Sequence, residues 1–208
     1  MLRCALAWAK EEPVGAEFAL ATRTRRRLRA VGVAVHEHPR PYRLDYRLET
    51  DAGFGTARLR AVARGAGWRR ELVLTQPQAG AWKIAAHAAG AVDLPPPGGD
   101  AAALAGAVDC DLGLSPLTNS LPVLRLGLLD LLGGGRPHEL LVAWVSVPDL
   151  AVRPYAQRYT PTGADSRGRP VVRYEDADGG FAADLTFDPD GYVLHYPGLA
   201  RRLGGGER

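Results

Sequence analysis

Two aspartates one residue apart, Asp109-Cys110-Asp111, are the side chains here best placed to do chemistry. On an extended strand both project from one face, ~6–7 Å apart. Carboxyls at that separation could work as acid and base if burial pushed their pKa values apart. They could equally hold an arginine such as Arg125, and in a chain this rich in arginine the ion pair is the stronger expectation. His36-Glu37-His38 puts two imidazoles on one strand face, a spacing found in β-rich metal sites, with Asp109 or Asp111 as the obvious third ligand. Pro39 and Arg40 follow at once, as at a strand end where histidines are solvated, and no metal is expected. Ser115, Ser120, Ser146 and Ser166 are the only serines, and none sits in GxSxG. Gly53-Phe54-Gly55 stops short of a third glycine and lies between strands, so it does not read as a phosphate loop. Tyr155, Gln157 and Tyr159 share a strand face and Tyr196 ends the last strand. Tyrosines present an apolar body and a polar tip, which suits a sugar or lipid headgroup, although most are simply half-buried sheet residues.

The elements that position these groups follow from periodicity. From Tyr42 to Glu49 every even residue is apolar or aromatic and every odd one charged, the signature of a half-buried strand. Ala57–Ala61 alternates again after a glycine turn, and Trp68, Leu72 and Leu74 carry the next strand. Trp82 and Ile84 follow an Ala79-Gly80 turn. Phe181, Ala183, Leu185 and Phe187 alternate into Asp188-Pro189-Asp190-Gly191, where proline and aspartate preset a turn and glycine takes the positive φ. The stretch from His138 to Val147 differs in being apolar on both faces, as a covered central strand would be. Asn119-Ser120 supplies an N-cap, Pro122 sits in the first turn, and Leu121, Leu124, Leu128, Leu131 and Leu132 follow at roughly helical spacing until Gly133-Gly134-Gly135. With only Arg125 and Asp130 charged along it, this helix must be buried on most sides, as a core plug or against a ligand. The whole predicts a mainly β fold: a curved antiparallel sheet forming an open half-barrel wrapped around one or two short helices.

Composition narrows the class. A length of 208 residues suits one β-rich domain, with residues 204–208 as a frayed tail. The net charge of +3 rests almost wholly on arginine, lysine occurring only at Lys10 and Lys83, which reads as coding bias. The dense run Arg23–Arg29 lies opposite Glu11, Glu12 and Glu17 in an expected hairpin. It lacks nearby exposed aromatics or a groove-reading helix, so it reads as a solvated strand face and no nucleic-acid partner is expected. Cys4 and Cys110 match no CxxC or zinc spacing and read as reduced thiols. The longest uncharged run, Leu112–Leu124, falls short of the ~18 residues of a membrane span. A soluble, cytoplasmic protein is expected.

From Gly106 to Val123, with Asp109-Cys110-Asp111 and Ser115-Pro116-Leu117-Thr118-Asn119-Ser120-Leu121-Pro122, the sequence resembles the bacterial family called "putative glycolipid-binding proteins". Tyr42–Tyr46, Val147–Leu150 to Gln157-Arg158-Tyr159, and Tyr196-Pro197-Gly198-Leu199 to Arg201 agree in order, from about residue 40 to 200. Residues 1–40, an N-terminal hairpin region, match weakly. Phe54 stands where the family pattern has Trp, and Leu124 where a basic residue often precedes Arg125. The resemblance implies the half-barrel of periplasmic lipoprotein carriers and non-catalytic binding of an amphiphile or glycolipid, without a cofactor. By position it implies Asp109, Asp111, Thr118, Asn119, Arg125, Gln157, Tyr159 and Tyr196 as the polar groups of a site, or as a lock between helix and sheet. Two other readings stay open: an enzyme using Asp109 and Asp111 as acid and base, and an interaction scaffold without a ligand.

Overall fold

Strict alternation of inward apolar and outward polar residues builds nearly every element of this protein. The computed structural model describes residues 1–78, 80–131 and 134–204. Seven N-terminal strands form an antiparallel meander: β1 (Leu2–Lys10), β2 (Gly15–Arg23), β3 (Leu28–His36), β4 (Tyr42–Thr50), β5 (Thr56–Gly65), β6 (Trp68–Gln78) and β7 (Ala81–Gly90). The chain then crosses the concave side to β8 (Asp109–Leu112) and α1 (Ser120–Leu126). A second meander returns through β9 (His138–Val145), β10 (Val152–Ala164), β11 (Pro170–Asp176), β12 (Ala182–Phe187), β13 (Val193–Tyr196) and β14 (Ala200–Arg202). Because β14 pairs with β1, the two meanders fuse into one 14-stranded sheet with β7 and β8 at its edges. Every pairing between strands is antiparallel except β8 with β9, which are joined through α1.

The inward rows make two cores. Leu44, Leu48, Leu59, Leu72 and Leu74 close on a plug from the crossing segment that includes Leu104, Cys110, Leu112, Leu117 and Leu121. Tyr159, Tyr174, Leu185, Phe187 and Tyr196 form the other core with Val123 and Leu128. β8 and β9 stand between them. Leu141, Ala143 and Val145 pack into the first core, while Leu140 packs against the second. The two-sided apolar pattern of residues 138–147 is therefore real, but its cause is not a central place in the sheet. The strand is next to the edge, and that edge is tucked into the concavity, where the Thr56 amide donates to the Val108 carbonyl.

The helix is shorter than its leucine spacing predicts. Gly127, at φ +63°, ends it by donating its amide to the Val123 carbonyl, and Leu128–Asp130 continues as a 3-10 turn. Leu132 and Gly133 lie outside the described residues, as do Ala79 of the expected turn and the tail from 205. Asn119 occupies the N-cap position but makes no capping hydrogen bond; its side chain is spent elsewhere. The Asp188–Gly191 turn forms as expected, with Asp188 Oδ1 accepting from the Asp190 and Tyr192 amides and Gly191 at φ +84°. Residues 1–36 are no appendage, since β1–β3 occupy the middle of the sheet.

Candidate functional site

Strand β8 and the turn that follows it carry one cluster of buried polar groups, Asp109, Ser115, Thr118 and Asn119. Asp109 and Asp111 do lie on one face of that strand, but they have different partners. Arg125, one helical turn inside α1, forks onto Asp109 with its closest contact at 2.6 Å. Burial raises the Asp109 pKa, with Arg125 pulling the other way. Among the described residues Asp111 has no cation partner. Its Oδ1 lies 2.9 Å from the Thr118 hydroxyl, and its Oδ2 accepts from the Gln157 amide at 2.7 Å. Desolvation again raises its pKa, and two neutral donors offset this only in part. The Asn119 amide donates to the Tyr159 hydroxyl at 2.9 Å, tying the start of α1 to β10 in place of capping the helix.

These contacts border a cavity of about 290 Å³ between the 113–119 turn, β9 and the inner face of β11–β13. Asp111, Ser115 and Asn119 line one side, Trp144 and Ser146 another, and Tyr174 and Tyr196 a third. The two tyrosine rings sit 6.0 Å apart, and Tyr159 meets Tyr174 edge-on at 5.4 Å. Their hydroxyls resist ionisation because the site is desolvated. Leu114, Val147 and Leu199 add an apolar border. The arrangement can donate and accept hydrogen bonds and present aromatic faces, all around one carboxyl.

Of the eight residues singled out in the sequence, Asp111, Asn119 and Tyr196 line this cavity. Thr118, Gln157 and Tyr159 support them from behind. Asp109 and Arg125 answer each other and do not line it, so the ion pair, not an acid–base pair, is the arrangement found. Sequence reasoning missed Ser115, Trp144, Ser146 and Tyr174. Trp144 had a signal, as the one aromatic within the aliphatic run from Leu140 to Val145.

A second buried network was also missed. Lys10 and Glu17 form an ion pair at 2.6 Å with both side chains fully buried. Glu17 also accepts from Tyr46 at 2.7 Å and Ser115 at 2.6 Å, and Lys10 donates to the Leu114 carbonyl. Burial lowers the Lys10 pKa, with Glu17 opposing it. The pair thus fastens the cavity turn to the β1–β2 hairpin. Glu17 was expected on a solvated face opposite Arg23–Arg29. It instead points inward, and the pattern held the clue, since its inward neighbours on β2 are Ala19 and Ala21.

The two histidines part ways. His36 ends β3 buried, stacked on Tyr42 at 5.3 Å, with its pKa brought down to about 4 by burial and the Lys10 charge. His38 is exposed beyond the strand. Among the described residues no group of three or more His, Cys, Asp or Glu side chains is placed to hold a metal ion. Cys110 is buried with its thiol pushed up to about 12, which makes it a packing residue. Among the described residues no helix is long and apolar enough to cross a membrane.

A family model described as "Putative glycolipid-binding" matches residues 5–202, reaching well into the first three strands. The crystal structure of a DUF1089 family protein from Pseudomonas aeruginosa is similar over 90% of this chain and 92% of that one, at 28% identity and a TM-score of 0.67. No curated protein matches the sequence.

Proposed function

This chain belongs to the family described as "Putative glycolipid-binding", and from that premise we propose that its cavity holds the uncharged, hydroxyl-rich head of an amphiphile. The observation that carries the reading is Asp111: a desolvated carboxyl at the cavity wall, held among the described residues by two neutral donors and no cation. Sugar hydroxyls supply the donors such a carboxyl lacks. The faces of Tyr174 and Tyr196 suit the C–H side of a ring, while Ser115, Asn119 and Ser146 offer further polar atoms. At about 290 Å³ the cavity lies at the bottom of the usual range for small-molecule sites. It fits a compact head better than a whole lipid, and the plug of Leu104, Leu112, Leu117 and Leu121 fills the ground an acyl chain would need under β3–β6. The tail therefore leaves past Leu114, Val147 and Leu199.

The acid–base reading has less support, because Asp109 is committed to Arg125 and only Asp111 addresses the cavity. The test is a calorimetric titration with a short-chain alkyl glycoside below its micelle concentration, beside an alkyl sulfate of equal length. Saturable binding of the glycoside alone, weakened roughly 10- to 100-fold by Asp111→Ala, fits the loss of hydrogen bonds to a charged group. Equal binding of both detergents, or an unchanged affinity in the variant, would defeat the reading.

A further inference from the structure

On the outward face of the sheet, on the far side from the cavity, β2 and β3 carry apolar residues where β4–β6 carry mostly charged ones. Phe18 and Leu20 on β2 and Val31 and Val35 on β3 point outward, 43–51% exposed. Their register sets Leu20 against Val31 and Phe18 against Val33, so the side chains form one continuous apolar row. Ala5 and Ala7 of β1 extend it, paired with Leu20 and Phe18. A contiguous apolar patch on a sheet face is a contact surface unless something covers it.

What lies beside the patch identifies the partner. Arg25, Arg26 and Arg27 crowd the β2–β3 turn at one end, and Arg29 shares the patch's own face. On the adjoining strands Arg43, Arg47, Arg58, Arg60, Arg64 and Arg69 face outward against Asp45, Glu49 and Glu71. With Arg29, the outward rows of β3–β6 hold seven arginines and three carboxylates, a formal +4 on one face of a chain whose total is +3. Three arginine pairs sit directly opposite across strands: Arg43 with Arg64, Arg47 with Arg60, and Arg64 with Arg69. Asp45 bridges Arg43 and Arg64, Glu71 bridges Arg60 and Arg69, and Glu49 lies 3.7 Å from Arg47, so the crowding is offset only in part and the face stays net positive.

We propose that this face docks the protein on an anionic phospholipid surface. The β2–β3 turn and the arginine rows engage lipid phosphates, and Phe18, Leu20, Val31 and Val35 enter the interface. Both halves of the chemistry are those of a peripheral membrane contact. Nucleic acid would use the arginines but has no use for an aliphatic row. A second copy would use the row, but its other flank carries Arg3 and Arg201, so a two-fold pairing sets arginine against arginine. Glu11, Glu12 and Glu37 lie at the opposite end of the same strands, which tilts the contact toward the arginine turn.

Vesicle flotation with the intact protein tests this, comparing phosphatidylcholine alone with phosphatidylcholine containing phosphatidylglycerol. Binding to the anionic vesicles only, abolished by high salt, is the expected result. Arg47→Gln with Arg60→Gln removes one directly opposed arginine pair together with the exposed contacts of Arg47 to Glu49 and Arg60 to Glu71, and Glu71 keeps Arg69, so the melting temperature stays close to that of the unaltered protein. Binding falls about 25-fold, at roughly fivefold per arginine. Phe18→Ser with Leu20→Ser, confirmed folded by circular dichroism, also releases the protein from vesicles. The proposal is overturned if both vesicle types bind alike or neither binds. It is equally overturned if light scattering shows a dimer that the Phe18/Leu20 variant dissolves, or if duplex DNA binds while anionic vesicles do not.

Discussion

The two halves of the concave face solve the same packing problem differently. Over β3–β6 the inward row is mainly aliphatic, with Tyr42, Tyr46 and Trp68 packed into the same core, and the crossing segment fills it with Leu104, Leu112, Leu117 and Leu121, all fully buried. Over β10–β13 the inward row is aromatic and polar, with Gln157, Tyr159, Tyr174 and Tyr196 opposite a short helix, and a cavity remains. Leucines interdigitate until no space is left. On the other side the rigid rings of Tyr174 and Tyr196 border open space in place of a leucine plug. β8 and β9 separate the halves, and the Lys10–Glu17 pair reaches from the β1–β2 hairpin to the wall of the cavity. A filled half gives stability and a hollow half gives a site.

The largest effect on that division comes from cutting the link between the halves. Lys10→Met leaves Glu17 charged, buried and without its cation, which costs roughly 3–5 kcal/mol. Urea unfolding measures it, and a loss below about 1 kcal/mol would mean the pair is not desolvated as its burial implies. Combining it with Glu17→Gln should restore part of the stability. Next in size is a cut within the filled half. Leu112→Ala opens a hole in a packed core and costs roughly 2–5 kcal/mol. If the variant lost almost nothing, the half described as solid would already be loose.

The filled half was the legible one. Alternation from Tyr42 to Glu49 and around Leu72 gives both strand and face, because a period of two survives any tertiary context that covers one side. The Asp188–Gly191 turn carries its geometry in its own residues. The division of the interior was not legible, since tucking an edge strand inside the sheet leaves the same two-sided apolar run as a central strand. Asp109 and Asp111 looked equivalent in sequence. Only the reach of Arg125 from α1 separates an ion pair from a carboxyl facing a cavity. Lys10 and Glu17 were illegible for a similar reason: seven residues apart across a hairpin, they look like surface charges until their strand faces are known.

Proton linkage gives the halves opposite signs. His36, beside the Lys10–Glu17 pair, has a folded pKa near 4 against an ordinary 6.5. The unfolded chain takes up its proton first, so His36 lends stability above pH 6.5 that is lost as pH falls toward 4. After discounting for partial solvation, the loss is on the order of 2 kcal/mol. Asp111 runs the other way. Its pKa is raised by burial from an ordinary 3.8, so its protonated form favours the fold, and that contribution fades as pH climbs through the folded value. His36→Gln should flatten the acid limb of the stability profile, whereas Asp111→Asn should flatten the decline above pH 3.8. Matching slopes in the two variants would contradict the contrast between their surroundings.

The smallest stability change belongs to the hollow half and discriminates most finely. Tyr196→Phe removes one hydroxyl at the cavity wall and leaves the ring contacts with Tyr174 and Phe181 in place. In a packed core the loss of a bonded hydroxyl costs about 1 kcal/mol, and at a wall facing open space the cost should be near zero. The same change should weaken an alkyl glycoside by several-fold if that hydroxyl meets a sugar oxygen. A stability loss with unchanged binding would make Tyr196 part of the lock between helix and sheet. Unchanged stability with weakened binding would mean the aromatic wall exists for what it contacts and not for what it supports.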